Sequence, residues 1–142
     1  MKRILVALDA SPRAPAVLAA ARQLAELAGA RLVLFRAINL PAELPREILE
    51  QRDLTLEDLL RRDAKAALEQ LARDLPPTLL EALVTELAIP WDGIVRAART
   101  HDADLIVLGS HGFRGLDHLL GTTAAKVVNH ADRDVLVVRA RS

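Results

Sequence analysis

Short apolar runs rich in Val, Ile and Leu alternate with long Ala/Leu segments of helical period along the whole chain of 142 residues. This alternation restricts the possible folds more than any other feature. Ile4–Leu8 is a continuous apolar run, the pattern of a strand buried on both faces. Ser11 and Pro12 read as the start of a helix, Ser as N-cap and Pro at the first helical position. Val17, Leu18, Ala21, Leu24, Ala25 and Ala28 follow as one stripe, and Gly29 ends the helix as a C′ residue. Arg31–Ile38 reads as the second strand, followed by a loop from Asn39 to Pro45. An amphipathic stretch from Arg46 to Asp74 predicts a helix that Pro76 and Pro77 forbid from continuing.

Leu79–Leu87 is rich in helix-forming Leu and Glu, yet Leu79, Glu81, Leu83, Thr85 and Leu87 alternate, and the segment lies between two helices. It is expected to be a strand. Pro90 opens a short helix to Thr100, with Asp92 suited to its positive N-terminal end. Asp104–Leu108 is the fourth strand, Thr122–His130 a helix and Val135–Val138 the fifth strand. Such strand–helix alternation gives an open, five-stranded parallel sheet with helices on both faces, and the strand order expected is 3-2-1-4-5.

Composition narrows the chemistry. Hydrophobic residues make up 51% of the chain but aromatics only 2%, so aliphatic side chains must build the core. The length fits one domain spanning residues 1–142. Lys and Arg number 19 and Asp and Glu number 19, so no global field draws the chain to nucleic acid or anionic lipid. High apolar content at zero net charge excludes intrinsic disorder. With no cysteine, disulfides, thiolate zinc sites, iron–sulfur clusters and cysteine nucleophiles are excluded. The opening run after Met1-Lys2-Arg3 is too short for a secretory signal, and no stretch reaches the ~18 apolar residues of a membrane span. A cytoplasmic protein that binds neither nucleic acid nor membrane is expected.

In an open parallel sheet of this order, ligands bind beyond the carboxyl ends of strands one and four, where the strand order reverses. The loops there are Ala7-Leu8-Asp9-Ala10-Ser11 and Leu108-Gly109-Ser110-His111-Gly112. Glycines let main-chain amides approach phosphate oxygens, and Gly121-Thr122-Thr123 opens a helix whose unpaired N–H groups favour an anion. Thr122 is suited to cap that helix or to donate its hydroxyl to phosphate. The segment is not a Walker A loop, because no Gly-Lys-[Ser/Thr] occurs, and no GxGxxG follows the first strand. Asp9 is suited to a turn as well as to ligand contact, and its place opposite a glycine loop favours the ligand. His101, His111, His118 and His130 read as loop or helix-end residues, Trp91 as a packing residue, and Arg61 with Glu57 as part of a solvated helix face. No nucleophile–base pair or carboxylate pair for hydrolysis is legible.

Gly-x-x-Gly, a short spacer, then Gly-[Ser/Thr], between the fourth strand and the last helix, resembles the universal stress protein family. The resemblance is carried by Ile4–Ser11, Ala103–Gly112, Leu119–Val128 and Asp134–Arg139, so it spans the chain. It implies a Rossmann-like domain of the nucleotide-binding α-hydrolase-like type, ATP with Mg²⁺ as ligand, a homodimer and a role in stress response. Carried over by residue, it implies that Ala7 and Ala37 line the adenine pocket and that Leu8 and Leu108 also contact the nucleotide. It further implies that Asp9 holds the ribose or a metal-bound phosphate. Gly109, Gly112, Gly121, Thr122 and Thr123 would cradle ribose and phosphates, and Ser110 would be a further nucleotide contact. The spacer Phe113–Leu120 is one residue shorter than is usual in the family, and Ala88 stands where Gly commonly precedes the Pro90 helix.

The expected function is therefore an ATP-binding regulator, dimeric through the edge strand Val135–Val138, with an unknown protein partner. Two alternatives stand beside it: a nucleotide-free dimeric interaction module, and a slow ATP-hydrolysing enzyme. A phosphorylated receiver domain is set aside, because the acidic pair after strand one and the Asp after strand three are missing. ATP against AMP or cyclic AMP stays open, because small apolar walls discriminate poorly.

Overall fold

The computed structural model describes residues 1–39, 56–110 and 120–139. The segment Arg46–Thr55, most of the Asn39–Pro45 loop, His111, Gly112, His118 and nearly all of the Phe113–Leu120 spacer lie outside the described residues. In chain order the elements are β1 (Arg3–Ala7), α1 (Ala14–Ala28), β2 (Arg31–Ile38), α2 (Leu56–Ala72) and β3 (Leu80–Leu87). They continue with α3 (Pro90–Thr100), β4 (Leu105–Gly109), α4 (Thr122–His130) and β5 (Asp134–Val138). The strands form one five-stranded sheet in the order β3-β2-β1-β4-β5, all neighbours parallel.

Period-two alternation along the central strands sorts side chains between two helical layers. Ile4, Val6, Leu32 and Leu34 point to the layer of α1 and α2, packing with Val17, Ala21 and Leu68. Leu5, Val33, Phe35 and Ile106 point to the layer of α3 and α4, packing with Ile94, Ala98, Ala124 and Val127. Phe35, fully buried, is the bulkiest of these side chains. Trp91 packs at the margin of the second layer, with its ring 4.6 Å from that of His130.

The amino end of the sheet is fastened by polar contacts. The Asp104 carboxylate accepts the Lys2 and Arg3 main-chain N–H groups at 2.6 and 3.0 Å, which fixes β1 beside β4. Those two donors hold its pKa below the ordinary carboxylate value. Arg3 pairs with Glu81 across the sheet at 2.8 Å. At the far end of α3, the Arg133 guanidinium donates to the carbonyls of Ala98 and Ala103, both at 2.9 Å.

One helix start and one helix cap differ from the sequence expectation. Ser11 is not the N-cap of α1. Its hydroxyl accepts the Arg13 N–H at 3.1 Å and its carbonyl accepts the Ala14 N–H at 3.2 Å, so an extra turn precedes the helix. The helix begins at Ala14 with Arg13 in the cap position and Pro15, not Pro12, in its first turn. Thr122 does not cap α4 either. Gly121 takes that place and Thr122 is already helical.

Candidate functional site

The site grows out of the way β1 and β4 part. Their ladder pairs Ile4 with Leu105, Leu5 with Ile106 and Val6 with Val107, and stops there. Beyond it β1 stays with β2, Leu8 donating its N–H to the Phe35 carbonyl at 2.8 Å. β4 stays with β5, Leu108 in register with Val137 and Gly109 with Val138. A cavity of about 270 Å³ opens between them, at the point where the strand order reverses.

Eight of the sequence-designated residues meet on its walls: Ala7, Leu8 and Asp9 from β1, Ala37 from β2, Leu108 and Gly109 from β4, and Thr122 and Thr123 from α4. Ser110 and Gly121 are not among the lining residues. Ser110, buried, donates its N–H to Val138 at 2.9 Å and accepts the Gly121 N–H at 3.1 Å, so it fastens the start of α4 to the β4–β5 pair. Gly112 lies outside the described residues. Four wall residues were not singled out from sequence: Phe35, Pro90, Ile94 and Ala124. Phe35 and Ala37 are two apart on one strand and therefore share a face, a signal the sequence did contain.

At one end the cavity meets the first turn of α4. The cap residue Gly121 is extended (φ −65°, ψ 163°) and supplies no side-chain acceptor. Ala125 is the first to donate within the helix, to Gly121 at 2.9 Å. The N–H groups of Thr122, Thr123 and Ala124 thus have no acceptor among the described residues, and all three residues lie on the cavity wall. Three donors at the positive end of a helix, without an acceptor among the described residues, are suited to an anion. Asp9 lies on the same wall and ties its own loop, its Oδ1 accepting the Ser11 N–H at 2.9 Å. The turn role and the wall position therefore coexist in one carboxylate.

At the other end the surface is apolar, from Ala37, Pro90 and Ile94 over Phe35, with main-chain groups as the polar component. Phe35 directs its carbonyl to β1, whereas Ile38 directs its own towards Ala88 beyond β3. Alternate residues of a strand point their amide groups to opposite sides, so Ala37 presents its N–H and C=O on the β1 side. The β1–β2 register ends at Ala7 opposite Phe35, which leaves the Ala37 pair facing the cleft. A neighbouring donor and acceptor match the amino and ring nitrogen of an aminopyrimidine edge.

Among the described residues no group of three His, Asp or Glu side chains is placed to hold a metal. A divalent cation at this site would take Asp9 as its one wall carboxylate, with its other ligands from a bound phosphate and water.

Residues 1–139 match the model of the universal stress protein family. The chain belongs to that family. Universal stress protein A homolog 1 of Coxiella burnetii is 32% identical over 138 residues, covering 96% of this chain and 95% of that protein. A universal stress protein of Thermus aquaticus is 35% identical over 140 residues, covering 97% and 98%. The solved structure of the protein MJ0577 superposes with a TM-score of 0.80 at 27% identity, covering 99% of this chain and 97% of that one. Two more distant universal stress proteins were solved in complex with cAMP and with dAMP, at 23% and 22% identity and TM-scores of 0.68 and 0.66. For this chain they show the fold alone.

Proposed function

We propose that this universal stress protein binds ATP with Mg²⁺ and acts as a nucleotide-dependent regulator in the stress response. The observation that carries the reading is the first turn of α4, whose leading N–H groups have no acceptor among the described residues, on the wall of the switch-point cavity together with Asp9. The phosphates would lie against the N–H groups of Thr122, Thr123 and Ala124, and Mg²⁺ would neutralise them on the Asp9 side. The base would lie against the apolar wall of Ala37, Pro90 and Ile94, with its amino edge on the Ala37 main chain. The cAMP and dAMP complexes of distant family members support an adenine nucleotide as the ligand class.

The chain's own residues bind and orient rather than transform. Asp9 is the one carboxylate on the described wall, and its Oδ1 is engaged with Ser11. No described wall residue is both basic and placed to activate water, so we assign the protein to regulation and expect any ATP turnover to be slow. A homodimer through β5 completes the reading. Val138 turns its carbonyl to Ser110 of the β4 side, so Val135 and Val137 point their amide groups to the open edge. Calorimetric titration with Mg²⁺–ATP tests the ligand. Saturable binding with one site per chain is expected, and a flat titration at millimolar nucleotide overturns the proposal.

A further inference from the structure

The floor of the base end has an unusual support. Gly93 sits buried inside α3, where glycine weakens a helix by about 1 kcal/mol relative to alanine. Its backbone needs no positive φ. What it lacks is room: a Cβ there would meet Ala88 Cβ at 3.0 Å and Phe35 Cζ at 3.2 Å. The Phe35 ring is thus lodged against the bare backbone of Gly93, and Phe35, with no exposed surface of its own, lies directly beneath the cavity wall. Interiors are close-packed, so a ring displaced from Gly93 moves into the void beside it.

We propose that Phe35, held back by the missing side chain of Gly93, sets the depth of the base pocket and makes it select a two-ring over a one-ring base. The inference rests on the nucleotide-binding reading above. Phe35 is fully buried and supplies the floor beneath Ala37 and Ile94, so its position fixes how far a base enters. Ala88 contributes to the same contact: a methyl group fits there because position 93 has none.

Adenine and cytosine present the same amino-donor and ring-acceptor edge but differ by one ring. The cytosine edge lies closer to the ribose, so the ratio of ATP to CTP affinity reads pocket depth through its change from wild type to variant, in which the Ala37 main chain is the same. Mg²⁺–ATP and Mg²⁺–CTP are titrated into the wild-type chain and into Gly93→Ala and Phe35→Leu, with melting curves and circular dichroism confirming the fold. The wild type is expected to prefer ATP by tenfold or more. Gly93→Ala is expected to weaken ATP about tenfold and CTP less than threefold, the scale that a small steric change in a pocket imposes. Phe35→Leu, which removes the floor, is expected to reduce the ATP-to-CTP ratio at least threefold and decides the matter if Gly93→Ala does not fold. Failure of the wild type to bind either nucleotide overturns the binding reading. Binding with an ATP-to-CTP ratio unchanged within twofold in the folded variants overturns the depth assignment alone.

Discussion

Replacing Gly121 by Asp is expected to stabilise the free protein and to destroy nucleotide binding at once. Gly121 already has the extended conformation of an N-cap, so Asp fits without backbone strain, and its carboxylate reaches the donors of the first turn of α4. The gain over Gly is a few tenths of a kcal/mol from capping and about 0.3–1 from the helix dipole, together ~0.5–1 kcal/mol. For a chain of this length that raises the Tm by ~2–3 °C. The same carboxylate consumes one or two of the three donors and places negative charge where phosphate is meant to lie. Two charge-assisted hydrogen bonds at ~1.5 kcal/mol each amount to ~3 kcal/mol, or about a hundredfold in Kd. Gly121→Asn caps without the charge and is expected to fall between, near tenfold. Calorimetry supplies the Kd and differential scanning fluorimetry the Tm. A Gly121→Asp protein that melts higher yet binds Mg²⁺–ATP within threefold of wild type refutes the reasoning, because the donors would then be irrelevant to the ligand.

Three further outcomes are expected. Val137→Pro removes an N–H that points to the open edge of β5 and spares the ladder to β4, so analytical ultracentrifugation should find a dimeric wild type and a monomeric variant. A wild type that sediments as a monomer at high micromolar concentration removes the dimer. Gly29→Ala places Ala at φ 67° with nothing within 4 Å of its Cβ, so the cost is backbone strain alone, ~1 kcal/mol by urea denaturation. A loss several times larger would mean that the space is not open. Asp104 has a lowered pKa in the fold, so its contribution is complete above the unfolded value near 3.9 and is lost as pH falls through the folded value. Asp104→Asn should therefore be less stable than wild type near neutral pH and equal to it in strong acid; a gap independent of pH contradicts the linkage.

The order of the sheet was legible because four strands are apolar runs and the strand–helix alternation leaves few topologies, which also placed the mixed signal of Leu79–Leu87 as a strand. Pro90–Thr100 and Thr122–His130 match their expected bounds, Pro90 and Gly121 marking the two starts. Leu80–Leu87 is a strand despite its Leu and Glu content, because pairing with β2 outweighs intrinsic propensity. The start of α1 was misread for a physical reason: Asp9 engages Ser11, and Ser11 engages Arg13, so local hydrogen bonds compete with the helix. At the site, the wall from β1, β4 and α4 was legible from loop chemistry. Phe35, Pro90 and Ile94 were not, because their meeting depends on α3 packing over the odd-numbered face of β2. Nor does a sequence show that Gly93 lies against a ring.

Hydrogen exchange at single amides of α4, followed by NMR with and without Mg²⁺–ATP, probes the cradle itself. In the free protein Thr122, Thr123 and Ala124 should exchange fast, while Ala125, bonded to Gly121, should already be slower. Saturating nucleotide is expected to slow the first three tenfold or more. Saturable binding that leaves those three amides exchanging as fast as before would contradict the placement of the phosphates at the start of this helix.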